Sequence, residues 1–149
     1  MSWPGSVSVC LWYDGDAAEA ARLYTSLIPN SEVTSASPYM VTFTLDGVPF
    51  QALNGGPHLK PTAAASIVVS TSNQEETDRL WRGLTADGGT EGRCAWLTDR
   101  FGVSWQIVPK VLPQLLGAPD RQAAERARQA MLTMSKIDIA ALEAAFHAS

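Results

Sequence analysis

The chain has 149 residues, a net charge of −4, 46% hydrophobic and 17% charged residues, a balance typical of one soluble globular domain or two small fused modules. It contains no lysine and arginine cluster that could follow a phosphate backbone, which argues against nucleic-acid binding. No apolar run approaches the roughly 18 residues that span a membrane, and Met1–Ser6 lacks a secretory signal, so we expect no membrane partner. Cys10 and Cys94 show no CxxC spacing, which predicts reduced thiols and a cytoplasmic location.

The first half of the chain predicts one helix among four strands. Residues 6–13 alternate and are rich in Val, Leu and aromatic residues, which indicates a strand. Asp14-Gly15-Asp16 then turns the chain and can cap a helix over residues 17–27, where the apolar residues fall at helical spacing. Three further strands are predicted at residues 32–36, 39–45 and 48–53.

The second half predicts the same order of elements and then a helical tail. A strand at 66–70 leads to a helix at 74–84, which residues 71–73 can cap. Two more strands follow at 91–98 and 103–108. Beyond Pro109 the apolar spacing predicts a short helix or turn at 111–116 and helices at 119–134 and 137–146.

Two sequence patterns occur once in each half. Gly47–Leu53 and Gly102–Val108 both run Gly-Val-x-aromatic-Gln-apolar-apolar, 55 positions apart. Arg22–Leu27 and Arg79–Leu84 both run Arg-Leu-aromatic-x-x-Leu, 57 positions apart. The apolar spacing shared by any two β-α-β-β segments accounts for the apolar positions, but not for the repeated arginine and glutamine. The patterns therefore predict an internal duplication.

The duplication predicts a domain organisation and is accompanied by a family resemblance. We expect a domain at 1–110, made of repeats at about 6–57 and 63–109, and a C-terminal helical extension at 111–149. Four stretches resemble the PhnB-like branch of the glyoxalase/bleomycin resistance/dioxygenase (vicinal oxygen chelate) superfamily, whose members often carry the label 3-demethylubiquinone-9 3-methyltransferase. They are Leu11–Gly15, Phe50–Pro57, Trp96–Pro109 and Lys136–Leu142.

The resemblance implies an α+β fold with two βαβββ modules, whose curled mixed sheets surround a cavity, usually within a homodimer. In metal-dependent members four side chains hold a divalent metal in that cavity, and the resemblance places these positions near Val9, Gln51, Ser66 and Gln106. Valine has no donor atom, and serine and neutral glutamine are poor ligands for zinc, nickel or iron. We therefore expect no metal and no other cofactor, and the resemblance then implies no standard glyoxalase or dioxygenase mechanism.

The methyltransferase label is not supported by any methyl-donor motif in the sequence. The glycine-rich stretch Asn54-Gly55-Gly56 follows a predicted strand and precedes Pro57, so it does not open a helix. We interpret it as the loop between the modules.

Strand alternation places Gln106 on the face opposite Trp105 and Ile107, and places Gln51 beside Leu53. Either the two amides orient a polar ligand in the cavity, or they satisfy backbone groups or each other in a filled interior. The predicted ligand-binding residues are Val9, Leu11, Gln51, Leu53, Ser66, Val68, Trp96 and Gln106.

Other reactive residue types have simpler interpretations, and the sequence identifies no catalytic residue. Cys10 and Cys94 are expected to be small buried residues, and Asp46 and Asp99 are expected to shape turns. His58 lies in a Gly-Pro-flanked loop, where a surface position or a pocket mouth are both open.

Two functions from different classes follow from these observations. The first is a metal-free, dimeric module that binds a small, partly apolar molecule. The second is a metal-assisted lyase or isomerase of the same superfamily. An interaction protein that uses the C-terminal helices is a third interpretation, and whether any reaction is catalysed stays open at this point.

Overall fold

The structure is a computed structural model in which residues 5–149 are described, so the interpretation of residues 1–4 lies outside the described range. The chain divides into two compact units, Met1–Thr62 and Ala63–Ser149. None of the helices described in either unit is long and apolar enough to cross a membrane.

The first unit has the predicted βαβββ order. The elements are β1 (Val9–Tyr13), α1 (Ala17–Leu27), β2 (Glu32–Ala36), β3 (Met40–Leu45) and β4 (Val48–Asn54). The sheet has the strand order β1-β4-β3-β2, in which β1 is parallel to β4 and the other pairs are antiparallel.

Helix α1 packs on one face of this sheet through small and aromatic residues. Ala17, Ala20 and Ala21 are fully buried, and their small size lets the helix lie close to the strands. The hydroxyl of Tyr13 donates to that of Tyr24 over 3.0 Å, which satisfies two polar groups inside an apolar layer.

The start of α1 differs from the sequence prediction. Asp16 occupies the N-cap position, but its side chain makes no capping hydrogen bond. The first helical N–H, that of Ala17, instead donates to the side-chain Oδ1 of Asn54 over 3.0 Å. The last residue of β4 therefore ties the helix to the sheet, a contact between residues 37 positions apart in sequence.

The second unit repeats the order and adds helices. The elements are β5 (Ser66–Thr71), α2 (Gln74–Thr85), β6 (Thr90–Glu91), β7 (Trp96–Thr98), β8 (Ser104–Pro109), α3 (Val111–Leu116), α4 (Arg121–Met131) and α5 (Ile139–His147). The sheet has the strand order β5-β8-β7-β6, with β5 parallel to β8. The fold class is confirmed as α+β with two similar modules, each with an open four-stranded mixed sheet.

The prediction of one strand from residue 91 to 98 is wrong, because the chain leaves the sheet between β6 and β7. Cys94 and Ala95 have φ values of +54° and +81°, in the left-handed region that side chains disfavour. Their N–H groups donate to the carbonyl oxygens of Met134 and Ser135, over 2.8 and 2.9 Å. The C-terminal extension therefore takes backbone groups that a continuous strand would use.

The C-terminal helices pack within the second unit. A buried apolar cluster joins Ala95 to Leu112, Ile137 and Leu142, with Val108 of β8 packed against it. Asp120 caps α4 by accepting from the N–H of Ala123. The division of the chain into a domain at 1–110 and a separate extension stays a prediction.

Candidate functional site

Each sheet has a face covered by its helix, here called the helix-side face, and an opposite face, here called the open face. In the first sheet the strand register pairs Cys10 with Gln51 and Trp12 with Leu53. Paired residues of neighbouring strands point to the same side, so these four side chains share the open face. The predicted placement of Gln51 beside Leu53 is confirmed.

Two of the predicted ligand-binding residues lie on the helix-side face of the first sheet. Val9 pairs with Phe50 and Leu11 pairs with Ala52, and both partners are buried on that face. Val9 and Leu11 therefore do not share a face with Gln51, and ligand contact at either residue stays a prediction. The difference in face follows from the period of two along a strand, by which a shift of one residue reverses every side chain.

Ser8 is the residue that meets Gln51. The Nε2 group of Gln51 donates to the Oγ of Ser8 over 3.3 Å, and Ser8 immediately precedes β1. The family resemblance placed this position near the neighbouring Val9, because a sequence pattern does not fix the register of two parallel strands about 40 residues apart. Alternate residues of a strand share a face, so Ser8 lies on the same side as Cys10 and Trp12. This alternation was the feature of the sequence that could have identified Ser8.

The second sheet brings together all four residues predicted for it. The register pairs Val68 with Gln106 in the parallel strand and Trp96 with Gln106 in the antiparallel strand. The Nε2 group of Gln106 donates to the Oγ of Ser66 over 3.0 Å. Val68 is 57% exposed, which leaves apolar surface beside the amide. Ligand contact at these residues stays a prediction.

Both units thus carry one glutamine–serine pair on the open face. In each pair the serine stands at the start of the first strand of the module, and the glutamine lies in the last strand. Both glutamines are partly buried, so their amides are held in place but still reach solvent. A glutamine that donates one N–H keeps a second N–H and a carbonyl oxygen free to bind a ligand. The arrangement offers donors and acceptors without formal charge.

An aromatic contact borders the open face of the first sheet. The Nε1 group of Trp12 donates to the carbonyl oxygen of Gly56 over 2.9 Å, and the ring of His58 meets the indole edge-on at 5.1 Å. Gly55 lies under the indole so closely that a Cβ atom there would stand 2.1 Å from the ring. The glycine in this loop is explained by packing against Trp12.

Cys10 lies on the same open face and is exposed as a residue, so the prediction that it is a small buried residue is wrong. Partial burial of its thiol raises the pKa of Cys10 above the ordinary value, because the charged form is less well solvated there. A raised pKa lowers the fraction of thiolate at neutral pH, so the group is a weak nucleophile.

Asp99 shapes a turn, as the sequence predicts. Its Oδ1 accepts from the backbone N–H groups of Phe101 and Val103, over 2.9 and 3.0 Å, and its Oδ2 accepts from the Nε1 of Trp105 over 2.9 Å. Asp99 is 2% exposed, and its hydrogen bonds to Val103 and Trp105 are buried, so loss of this acceptor would leave buried donors unpaired. Asp99 fixes the β7–β8 connection and the strand that carries Gln106.

The family model for 3-demethylubiquinone-9 3-methyltransferase matches residues 5–108. The chain belongs to this family. The match covers both modules and ends before α3, so the C-terminal helices of this family member lie outside it. A comparison with curated proteins finds no match for the chain.

Solved structures show the same fold. A PhnB protein from Bacillus cereus that bears the same methyltransferase name is 28% identical, with 70% of this chain and 99% of that chain covered and a TM-score of 0.64. A glyoxalase/bleomycin resistance protein from Albidiferax ferrireducens is 15% identical, with 69% of this chain and 96% of that chain covered and a TM-score of 0.52. The fosfomycin resistance protein of Listeria monocytogenes, solved with Mn(II) and sulfate, is 16% identical, with 72% of this chain and 91% of that chain covered and a TM-score of 0.53.

The side chains at the glutamine–serine pairs do not fit a tightly bound divalent metal. Their donor atoms are hydroxyl oxygens and neutral amides that already bond to each other, whereas zinc, nickel and iron favour imidazole, thiolate or carboxylate. Among residues 5–149 no group of three or more His, Cys, Asp or Glu residues could hold an ion. No chemical step is therefore assigned to a metal at these pairs.

Proposed function

We propose that this family member binds a small, neutral, partly apolar molecule on the open faces of its sheets, without a resident metal. One observation carries the proposal, namely the hydrogen-bonded glutamine–serine pair on each open face. We also propose that the methyltransferase name does not describe the chemistry of this protein. Its glycine-rich stretch, Asn54–Gly56, packs against Trp12 rather than forming a site for a methyl donor.

The side chains around each pair support a ligand of mixed polarity. Gln51 has Trp12 and Leu53 on its face, and Gln106 has Val68 and Trp96 on its face. Desolvation of a neutral amide on binding costs little free energy, and its fixed donor and acceptor make binding specific. The apolar neighbours supply most of the affinity. A primary carboxamide with a hydrocarbon tail has this chemistry.

Ligand screening tests the proposal. Thermal-shift and calorimetric titrations would cover hydrophobic antibiotics, small metabolites and straight-chain primary carboxamides. Gln106→Leu keeps the size of the side chain and removes its hydrogen-bonding groups, so we expect binding at the second sheet to weaken about tenfold. Gln122→Leu, at an exposed position of α4, is the matched control and should leave binding unchanged.

Two results would count against the proposal. A screen in which no compound binds the wild-type protein would remove its basis. Binding or turnover that requires stoichiometric Ni, Zn, Mn or Fe, shown by elemental analysis of protein purified without added metal, would favour the metal-assisted lyase or isomerase instead.

We also propose a cytoplasmic homodimer. The free thiols of Cys10 and Cys94 are compatible with a reducing compartment. Sedimentation equilibrium at micromolar concentration would distinguish a dimer from a monomer of 16.0 kDa.

A further inference from the structure

The C-terminal extension, residues 111–149, contacts the second sheet on the face that carries Gln106. Val108 lies two residues after Gln106 in β8, so both side chains point to the open face. Val108 is also packed against the buried apolar cluster that Leu112, Ile137 and Leu142 form. The extension therefore covers the end of the open face next to the glutamine.

The extension also holds the backbone that leads into Trp96. Cys94 and Ala95, with left-handed φ values, immediately precede Trp96, and their N–H groups bond to Met134 and Ser135. Those two carbonyl partners help to stabilise the left-handed conformation. Trp96 pairs with Gln106 in the register, so the extension positions an aromatic wall beside the amide.

We propose that the C-terminal extension forms the end wall of the ligand site on the second sheet and limits the length of the apolar part of the ligand. The proposal rests on the proposed binding function and deepens it. The extension follows the part of the chain that the family model matches, residues 5–108. Val108 is the residue at which the wall meets the open face.

Straight-chain primary carboxamides with four to twelve carbons would measure the length of the site by calorimetry. Val108→Ala removes two methyl groups at the wall, so we expect the optimum to move to chains one or two carbons longer. Each additional buried methylene should tighten binding about fourfold. Val108→Leu should move the optimum in the opposite direction. Leu132→Ala is the control, since it truncates the side chain of an exposed residue that follows α4 in the same extension. It should leave the optimal ligand chain length unchanged.

The outcomes separate the two proposals. An unchanged chain-length optimum in both Val108 variants, with wild-type binding intact and weakened by Gln106→Leu, would overturn the end wall and leave the binding function standing. An equal loss of affinity for every chain length would also overturn it, because that is the effect of a purely structural residue. If no carboxamide or other ligand binds the wild-type protein, the binding function fails and the end wall fails with it.

Discussion

Replacement of Asp99 should be among the most damaging single changes in the second unit. Asp99→Ala leaves three donors without their acceptor, the N–H groups of Phe101 and Val103 and the indole N–H of Trp105. Each buried donor left unpaired costs about 1–3 kcal/mol, or about 3–9 kcal/mol for three. Because the hydrogen bond from Phe101 is only partly buried, we expect a loss in the lower part of that range, about 3–6 kcal/mol in the free energy of unfolding. That is comparable to the whole stability of a small domain.

Urea unfolding followed by circular dichroism measures this loss. With a slope of about 2 kcal/mol per molar urea, the midpoint should fall by about 1.5–3 M. Asp99→Asn keeps the oxygen that accepts two backbone N–H groups but turns a donor towards Trp105, so it should cost about 1–3 kcal/mol.

Asp46→Asn is the matched control at the corresponding turn of the first unit. Asp46 is exposed and has a φ of +48°, a conformation that asparagine tolerates, so its change should stay within about 0.5 kcal/mol. An Asp99→Ala urea midpoint within about 0.5 M of the wild-type midpoint would contradict this prediction, since that is roughly the smallest shift that urea unfolding resolves. Equal losses in the free energy of unfolding for Asp99→Asn and Asp46→Asn would also contradict it.

Three further predictions concern packing, reactivity and acid. Gly55→Ala should cost about 1–3 kcal/mol in urea unfolding because its methyl group would collide with the Trp12 indole, and Trp12→Leu in the same chain should recover part of that loss. Cys10 should react with iodoacetamide at pH 7.5 more slowly than a free thiol, as followed by mass spectrometry, because burial raises its pKa; a rate equal to that of a model thiol would contradict this. The pKa of Asp78 is lowered by the hydrogen bond from Gln74 and a neighbouring ammonium, so its stabilisation is present above the ordinary carboxyl pKa and is lost as the pH falls through the lowered value. Because the Asp78 side chain is partly exposed, the free energy of unfolding of wild type should exceed that of Asp78→Asn by only about 0.5 kcal/mol at pH 7. Thermal melts at several pH values would measure this difference, which should disappear in strong acid.

Local signals in the sequence were sufficient for most elements of the fold. The cap of α2 is an example, since Asn73 accepts from the N–H of Glu76 three residues later. The face of Gln106 followed from alternation alone, because a single strand determines which of its residues share a side. These inferences depend on residues within one turn or one strand of each other.

Features set by distant parts of the chain could not be obtained in this way. The choice between Ser8 and Val9 depends on the register of β1 against β4, which joins residues about 40 positions apart. The cap supplied by Asn54 to α1 is equally distant in sequence. The break at Cys94 and Ala95 is held by hydrogen bonds from their N–H groups to the distant C-terminal extension. Gly92, two residues before the break, is a local signal of an interrupted strand, but it does not indicate which distant residues accept those hydrogen bonds.

The two modules differ at their hairpin turns and in the helices that follow, yet both keep the glutamine–serine pair. The hairpin turn of the first module is exposed at Asp46, whereas that of the second is built on the buried Asp99, and the second module alone is extended by helices. A hydrogen bond between two partly exposed neutral side chains contributes only about 1 kcal/mol to stability. So small a contribution to stability does not explain why the same two groups lie on the open face of both sheets. Ligand recognition explains it better, because recognition depends on the positions of donors and acceptors more than on their contribution to folding.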